Sequence, residues 1–366
     1  MWVSDGTPGG TTQLYNGLYN SGWLQFVGNR AFFIGYDPIN AFELWQSDGT
    51  PGGTGMVKAI VPDERFWPNG LQGFNNTLYF TGYDTSYGWE LWRSDGTAVG
   101  TEQVVDINPG ITSSSPESIT PAGTFFFFTA TDANGYRGLW RSDGTTGNTS
   151  LIKNFPPAGI VYRITNLVMA DTILYFLADD GVHGKELWRS DATANGTFMV
   201  EDLIPGAAYA TISGLTPIGD TVYFAFDDGI HGQELWRSQG MPGDAELVAD
   251  LWPGPDGSYP QEMKVLDNKL FFSATDGQSG LEVWWYDPQS NAAARLSDIA
   301  PGSLHALPQS FTLRVITCFY RQRSPDGCKP GVMGLSPHRQ CAGLTHRDAL
   351  PDYARRAIYL HPGSAK

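Results

Sequence analysis

The segment VPDERFWPNG, residues 61–70, holds the densest group of side chains able to do chemistry. Asp63 and Glu64 are carboxylates of the kind that glycosidases use in pairs, and Trp67 offers a flat ring on which a sugar or peptide can stack. A glycosidase needs a second, separately placed carboxylate, and the sequence does not indicate which one that is. The segment therefore predicts a ligand-binding site, with half of an acid pair as the alternative.

A second aromatic group lies in LWPGPDGSYP, residues 251–260, where Trp252 and Tyr259 flank a turn rich in glycine and proline. Exposed rings with amides and carboxylates nearby are what glycan and peptide ligands require. We predict that Trp252 and Tyr259, together with Asp63, Glu64 and Trp67, bind such a ligand. The alternative is that these aromatic residues only fill the junctions between structural units.

Six aspartates recur at regular spacing in glycine-rich turns and are candidate metal ligands: Asp37, Asp84, Asp132, Asp180, Asp228 and Asp276. Carboxylates that converge on one face could bind Ca²⁺, which prefers oxygen ligands. The alternative, favoured here, is that each aspartate caps its own turn, because an evenly spaced ring holds neighbours too far apart to share an ion. No other cofactor is indicated.

Histidine and arginine residues do not indicate a catalytic centre. His183 and His231 occupy matching positions in two similar turns, so neither is the obvious centre of a triad or of a zinc site. A sialidase-type arginine cluster is also disfavoured, because four arginines fall at one repeated position: Arg93, Arg141, Arg189 and Arg237. We therefore name no catalytic residue.

The charge distribution disfavours two classes of partner. The chain carries 23 Lys or Arg against 38 Asp or Glu, and residues 1–312 hold only 14 of the former and 35 of the latter. Such an acidic surface repels phosphate backbones and anionic lipid headgroups. No apolar run approaches 18 residues. The sequence thus predicts neither nucleic-acid binding nor membrane insertion, and leaves the oligomeric state open.

The elements that position these residues are repeats, each anchored on a tryptophan. The anchors are spaced by 43, 47, 48, 48, 48 and 48 residues: Trp2, Trp45, Trp92, Trp140, Trp188, Trp236 and Trp284. Every full unit has an aromatic residue twelve positions before its anchor and turn residues after it. Units of this length with four short strands are typical of propeller blades. In ELWRS the Leu and Trp point to opposite faces, so we expect both to be buried between neighbouring blades.

The copies ELWQSDGT at 43–50, ELWRSDGT at 90–97, GLWRSDGT at 138–145 and ELWRSDAT at 186–193 resemble the bacterial ELWxxDGT repeat proteins. The resemblance covers about residues 2–312. It implies a β-propeller-like, usually exported or surface protein of unassigned biochemical role. ELWRSQGM at 234–241 and EVWWYDPQ at 282–289 depart from the pattern, so those two blades need another turn.

Counting the units predicts an all-β propeller with seven four-stranded blades. Six are complete, and residues 1–16 supply only the last two strands of a seventh, which the region after Gly302 would close. The domain predicted in this way spans residues 1–313. Because Met1 is followed directly by half a repeat, we expect the sequence to be a fragment or to lack its original start, so that any export signal is unobservable.

Residues 314–366 break the repeat. They contain nine Lys or Arg and all three cysteines, Cys318, Cys328 and Cys341, with no further anchor tryptophan. Read from the third base of each codon, parts of this tail can encode strand and turn residues like those of the repeat. We therefore predict an out-of-frame, poorly ordered tail, and the alternative is a genuine basic extension.

Taken together, these observations predict a non-enzymatic binding or adhesion module that uses its aromatic-bearing connections to hold a glycan or peptide. Two alternatives stay open: a glycoside-active propeller enzyme, either hydrolase or lyase, and a structural spacer without a ligand.

Overall fold

A computed structural model of the chain describes residues 1–18, 20–60, 68–156, 164–206 and 210–296, together with two short strands further on. The chain divides into two units, Met1–Leu307 and Pro308–Lys366. Within the second, β27 (Ile316–Thr317) pairs with β28 (Arg356–Ala357). The rest of the predicted tail, including its three cysteines, lies outside the described residues.

The first unit is built from antiparallel strands. It opens with a two-stranded sheet, β1 (Trp2–Val3) and β2 (Thr12–Gln13). The first complete blade contains β3 (Asn20–Val27), β4 (Arg30–Asp37), β5 (Ala41–Ser47) and β6 (Gly55–Lys58). The second contains β7 (Asn69–Phe74), β8 (Thr77–Asp84), β9 (Gly88–Ser94) and β10 (Glu102–Val105). The third contains β11 (Glu117–Ala122), β12 (Phe125–Thr131), β13 (Arg137–Ser142) and β14 (Ser150–Phe155).

Three more blades follow the same order. The fourth contains β15 (Thr165–Ala170), β16 (Ile173–Asp179), β17 (Lys185–Ser190) and β18 (Phe198–Glu201). The fifth contains β19 (Ser213–Ile218), β20 (Thr221–Asp227), β21 (Gln233–Ser238) and β22 (Glu246–Ala249). The sixth contains β23 (Gln261–Leu266), β24 (Lys269–Ala274), β25 (Glu282–Asp287) and β26 (Ala292–Arg295).

In each blade the strands pair in sequence order, and the first strands of consecutive blades contact one another from β3 through β7, β11, β15 and β19 to β23. This arrangement is a β-propeller, which confirms the predicted fold class. The six complete blades and the strand pair β1–β2 are consistent with seven blades in all. The strands predicted to close the seventh fall outside the described residues. The single helical turn in the described part is a 3₁₀ turn at Thr146–Asn148.

The anchor tryptophan pairs across the hairpin with the aromatic residue twelve positions before it. Six cross-strand pairs share this register: Phe33–Trp45, Phe80–Trp92, Phe128–Trp140, Phe176–Trp188, Phe224–Trp236 and Phe272–Trp284. The sequence spacing therefore reflects the geometry of one hairpin, in which directly opposed aromatic side chains contact each other.

The core lies between blades, as the alternation within ELWRS predicts. Leu139 of blade three packs with Trp188 of blade four, and Leu187 of blade four packs with Trp236 of blade five. The remaining described junctions pack the same two positions together. Leu139 and Leu187 are fully buried. The motif thus buries both faces of its strand and stabilises the stack of blades.

The SDGT segment forms a turn stabilised by its own side chains. In the second blade, Asp95 Oδ1 accepts hydrogen bonds from the Thr97 amide at 2.8 Å and the Thr97 hydroxyl at 2.7 Å. The Gly96 amide donates to Ser94 Oγ at 3.1 Å, with a φ of +90° that favours glycine. The aspartate contacts recur in the other copies of the turn. The repeated motif is therefore structural.

The fifth blade, where SDGT is replaced by SQGM, forms its turn differently. Asp244 Oδ1 accepts from the Ser238 hydroxyl at 2.5 Å, and Asp244 Oδ2 accepts from the amides of Gln239 and Met241, both at 3.0 Å. The acceptor has moved from the second turn residue to a position five residues later. The fifth blade therefore closes this turn with Asp244, as expected for a blade that lacks the SDGT sequence.

Replacing Asp244 with alanine should lower the free energy of unfolding by about 2 kcal/mol, because two turn amides and a hydroxyl lose a charged acceptor. Urea denaturation measures the change. The control is Asp256→Ala, at an exposed position in a connection, which should stay within about 0.5 kcal/mol of the parent chain. Equal effects of the two substitutions would contradict this assignment of the turn.

Within the described residues, no helix is long and apolar enough to cross a membrane.

Candidate functional site

The turns between second and third strands and the connections between blades meet on one face of the propeller. The carbonyl of Trp89 accepts from the amides of Ser114 and Ser115, each at 3.0 Å. In the fifth blade the Gln233 carbonyl accepts from the Tyr259 amide at 3.0 Å. In these two blades the connection is therefore held against the start of the third strand. Residues that vary among the connections are displayed on this common face.

A buried glutamate, whose role was not predicted from the sequence, fixes the connection in several blades. Glu90, the first residue of ELWRSDGT, accepts from the Ile107 amide at 3.1 Å, the Ser114 amide at 2.9 Å and the Ser114 hydroxyl at 2.5 Å. Its side chain has no exposed surface. Burial raises the pKa of Glu90 to about 7, although the hydrogen bonds from Ser114 and Ile107 lower it.

The equivalent residue in the fifth blade, Glu234, holds the connection that carries the predicted aromatic residues. It accepts from the amides of Leu251 and Trp252, both at 3.2 Å, and from the Ser258 amide at 2.8 Å and hydroxyl at 2.5 Å. Burial raises its pKa, against the lowering effect of these bonds. Glu234 thus fixes the backbone on both sides of the 253–257 turn, and with it the positions of Trp252 and Tyr259.

A cavity of about 590 Å³ opens at this connection, between the fifth and sixth blades. Its size falls within the range of small-molecule sites, about 300–1,000 Å³. Both aromatic residues predicted from this segment, Trp252 and Tyr259, line it. The other lining residues come from both blades: Ser213, Gln233, Pro260, Gln261, Thr275, Gly277, Gly280 and Leu281. We refer to these ten residues as the 252/259 pocket.

The two aromatic residues play different parts in the 252/259 pocket. The indole of Trp252 packs against Gly277, where a β-carbon would collide with the ring. Gly277 also has a φ of +78°, so glycine is favoured there for both reasons. Tyr259 is 50 % exposed and has a φ of +54°, an uncommon conformation for a large residue. Trp252 therefore forms a fixed wall, whereas Tyr259 presents its ring to solvent at the mouth.

Comparison of equivalent positions shows that this pair of aromatic residues is specific to the fifth blade among the blades with both positions described. The second blade has Asn108 and Ser115 at these positions, and the fourth has Ile204 and Thr211. The propeller framework does not require aromatic rings here, because the second and fourth blades are built without them at these two positions. A pair that departs from the repeat inside a cavity indicates a specific role.

The structure tests only part of the predicted binding site. Asp63, Glu64 and Trp67 lie outside the described residues, so their part of the predicted site stays a prediction. Trp89 packs against Tyr83, with ring centroids 5.5 Å apart. Lys269 Nζ lies 5.0 Å from the Trp285 ring centroid. Trp89 and Trp285, two further tryptophans outside the anchor positions, thus pack against neighbouring side chains.

The six aspartates proposed as metal ligands accept hydrogen bonds within their own turns. Asp37 accepts from the amides of Ile39 and Asn40, and Asp84, Asp132, Asp180, Asp228 and Asp276 make comparable bonds. In the described ranges, no three His, Cys, Asp or Glu side chains lie close enough together to hold a metal ion. These contacts support the turn-capping alternative, and calcium binding stays an untested prediction.

His183 and His231 are partners of the turn aspartates. The Nδ1 atoms lie 2.8 Å from Asp180 Oδ2 and 2.7 Å from Asp228 Oδ2, respectively. The hydrogen bond to the aspartate raises the pKa of each imidazole. The arginines at the repeated position also make structural contacts. Arg93 Nη1, for example, donates to the Gly144 carbonyl of the next blade at 3.1 Å.

No family model matches the chain, and no curated protein matches it. Solved structures resemble it at low identity. A puromycin-hydrolysing peptidase from Mycobacterium tuberculosis is 12 % identical with a TM-score of 0.45, over 76 % of this chain and 47 % of that one. A prolyl oligopeptidase B from Galerina marginata is 10 % identical with a TM-score of 0.48, over 82 % and 47 %. The chain spans about half the length of these proteins.

Proposed function

We propose that the protein is a non-enzymatic ligand-binding or adhesion propeller that holds a glycan or peptide in the 252/259 pocket. The observation that carries the proposal is the pairing of Trp252 and Tyr259 in one cavity, at positions where the second and fourth blades have no aromatic residue. A binding site that occurs once on a repeated scaffold must be formed by residues that differ from the repeat, and these two aromatic residues do.

The composition of the lining favours binding over catalysis at this site. Hydrolysis of a glycoside requires two carboxyl groups, about 5–9.5 Å apart, facing the bond to be cleaved. The ten lining residues include no carboxylate and no histidine. Glu234, which lies behind the connection, is fully buried and accepts four hydrogen bonds. A glycoside-active enzyme would have to use acids elsewhere, such as Asp63 and Glu64.

The cellular setting belongs to the same proposal. An exported or surface location is implied by the resemblance to ELWxxDGT repeat proteins, whose motif recurs in this chain through residue 193. A location outside the cell would give a glycan-binding or peptide-binding surface access to matrix and cell-wall ligands.

A glycan and peptide array probed with the full chain tests the proposal. We expect at least one ligand to bind, and both Trp252→Asn and Tyr259→Ser to weaken that binding about tenfold or more, because each removes a ring that contacts the ligand. Both substitutions introduce the residue found at the same position of the second blade. Thr211→Ala, at the position of the fourth blade that corresponds to Tyr259, is the matched control and should leave binding unchanged.

The array distinguishes the alternatives. Cleavage of a bound glycan would support the enzyme, and the absence of any bound ligand would support the structural spacer. Binding that survives both pocket substitutions would show that the site lies elsewhere on the propeller.

A further inference from the structure

The 252/259 pocket carries no charged side chain on its lining. Besides the Tyr259 hydroxyl and the Trp252 indole N–H, its polar side-chain groups are the amides of Gln233 and Gln261 and the hydroxyls of Ser213 and Thr275. The Thr275 hydroxyl oxygen already accepts from the Gly277 amide at 3.1 Å. Around them lie the two aromatic rings, one proline, one leucine and two glycines. This neutrality contrasts with a chain whose formal net charge is −15.

Three charged groups close to the pocket, Glu234, Asp276 and Arg295, have partners outside its lining. Glu234 has no exposed surface, and its four hydrogen bonds come from the connection itself. Asp276 lies between two lining residues, but its carboxylate accepts from the amides of Gln278 and Ser279 at 3.0 and 2.8 Å. Arg295 Nη1 lies 3.9 Å from Asp276 Oδ2. These side chains serve their own turns and connections rather than the lining.

A charged ligand would lose hydration on entering the pocket without gaining an opposite charge, which is unfavourable. An anionic ligand would in addition be repelled by the acidic chain. An uncharged ligand has no charge whose hydration is lost, and the acidic chain does not repel it. Side-chain amides and hydroxyls offer both donors and acceptors, which matches the hydroxyl groups of a sugar. An aromatic ring at the mouth matches the apolar face of a sugar ring.

From this lining we infer that the ligand is an uncharged, hydroxyl-rich glycan segment whose sugar ring stacks on Tyr259 while its hydroxyl groups bond with Gln233, Gln261, Ser213 or Thr275. This inference rests on the proposed function and specifies its ligand class. Because no ion pair forms, the affinity should be nearly independent of salt concentration.

Isothermal titration calorimetry on the full chain tests the inference with defined probes. The neutral series contains maltohexaose, cellohexaose, laminarihexaose and N-acetylated chitohexaose; the charged series contains hexagalacturonate and deacetylated chitohexaose; a proline-rich peptide is the third class. We expect a neutral oligosaccharide to bind with an affinity that changes less than about twofold between about 50 and about 500 mM salt. Tyr259→Ser should weaken that binding about tenfold or more, and Thr211→Ala should not.

The outcomes separate this inference from the proposed function. Suppose that a charged oligosaccharide or the peptide binds and is weakened by Tyr259→Ser, whereas no neutral oligosaccharide behaves in this way. The inferred ligand class is then wrong, but the 252/259 pocket is still the binding site. If no probe of any class responds to Tyr259→Ser, the 252/259 pocket is not the binding site and both are wrong.

Discussion

Replacing Glu90 with alanine is expected to lower the free energy of unfolding by about 3 kcal/mol. The substitution removes the acceptor of the buried Ile107 amide and of the Ser114 hydroxyl, and it leaves a space where a fully buried side chain lay. The measurement is urea denaturation at about pH 5, where the Glu90 carboxyl is neutral and its desolvation cost is smallest.

Glu246→Ala is the control for this prediction. Glu246 pairs with Arg237 at 2.6 Å, but its side chain is 59 % exposed, so its loss should cost less than about 1 kcal/mol. A Glu90→Ala effect as small as that of Glu246→Ala would contradict the assignment of Glu90 as the residue that fixes the connection.

The second large expected effect is a fall in stability between about pH 5 and pH 8. Burial raises the pKa values of Glu90 and Glu186 from the ordinary 4.5 to about 7. The folded chain therefore binds protons more tightly than the unfolded chain. The resulting stabilisation is complete below pH 4.5 and is lost as the pH rises through 7. It amounts to about 3 kcal/mol for each glutamate.

Other titrating groups either also lower the stability as the pH rises or change their charge outside the range from about pH 5 to pH 8. The raised pKa values of His183 and His231 also stabilise the folded state at low pH and lose that effect as the pH rises. Turn aspartates such as Asp95, whose pKa is lowered by hydrogen bonds from Thr97, lose their stabilising effect only below pH 3.8. The combined expectation is a maximum of stability near about pH 5.

Urea denaturation of the full chain at several pH values between 5 and 8 measures this dependence. In Glu90→Ala the decrease in unfolding free energy over this pH range should be smaller by the contribution of one glutamate, about 2–3 kcal/mol. His183→Gln with His231→Gln separates the histidine contribution. Stability that stays constant or rises from about pH 5 to pH 8 would show that the buried glutamates are not protonated in the folded chain.

The fold was predictable because one interaction repeats. A tryptophan every 48 residues with an aromatic residue twelve positions earlier specifies a hairpin pair such as Phe176–Trp188. Alternation within ELWRS then requires burial on both sides of the strand, which a stack of blades provides. The role of Asp244 was harder to predict from the sequence. It accepts hydrogen bonds from a position five residues beyond the usual aspartate, and no other blade that the structure describes repeats that arrangement.

The candidate site was predictable only in part. Trp252 and Tyr259 stood out because they depart from the repeat, and the cavity contains both. Ser213 and Thr275 could not be added from the sequence, since Ser213 begins β19 and Thr275 follows β24, in two neighbouring blades. The motif glutamate recurs in ELWQS and ELWRS, but the sequence motif alone did not indicate that its side chain is buried. Its regular distances of 17 residues to Ile107 and 24 to Ser114 were the signal that could have identified it.

We propose that the repeated residues stabilise the propeller, whereas Trp252 and Tyr259, which depart from the repeat, bind the ligand. The most direct test measures ligand affinity and unfolding free energy together in the double variant Trp252→Asn/Tyr259→Ser and in Glu90→Ala. We predict that the double variant still folds but loses at least about tenfold in affinity, and that Glu90→Ala loses about 3 kcal/mol of stability with unchanged affinity. The reverse pattern, with affinity lost in Glu90→Ala and retained in the double variant, would contradict it.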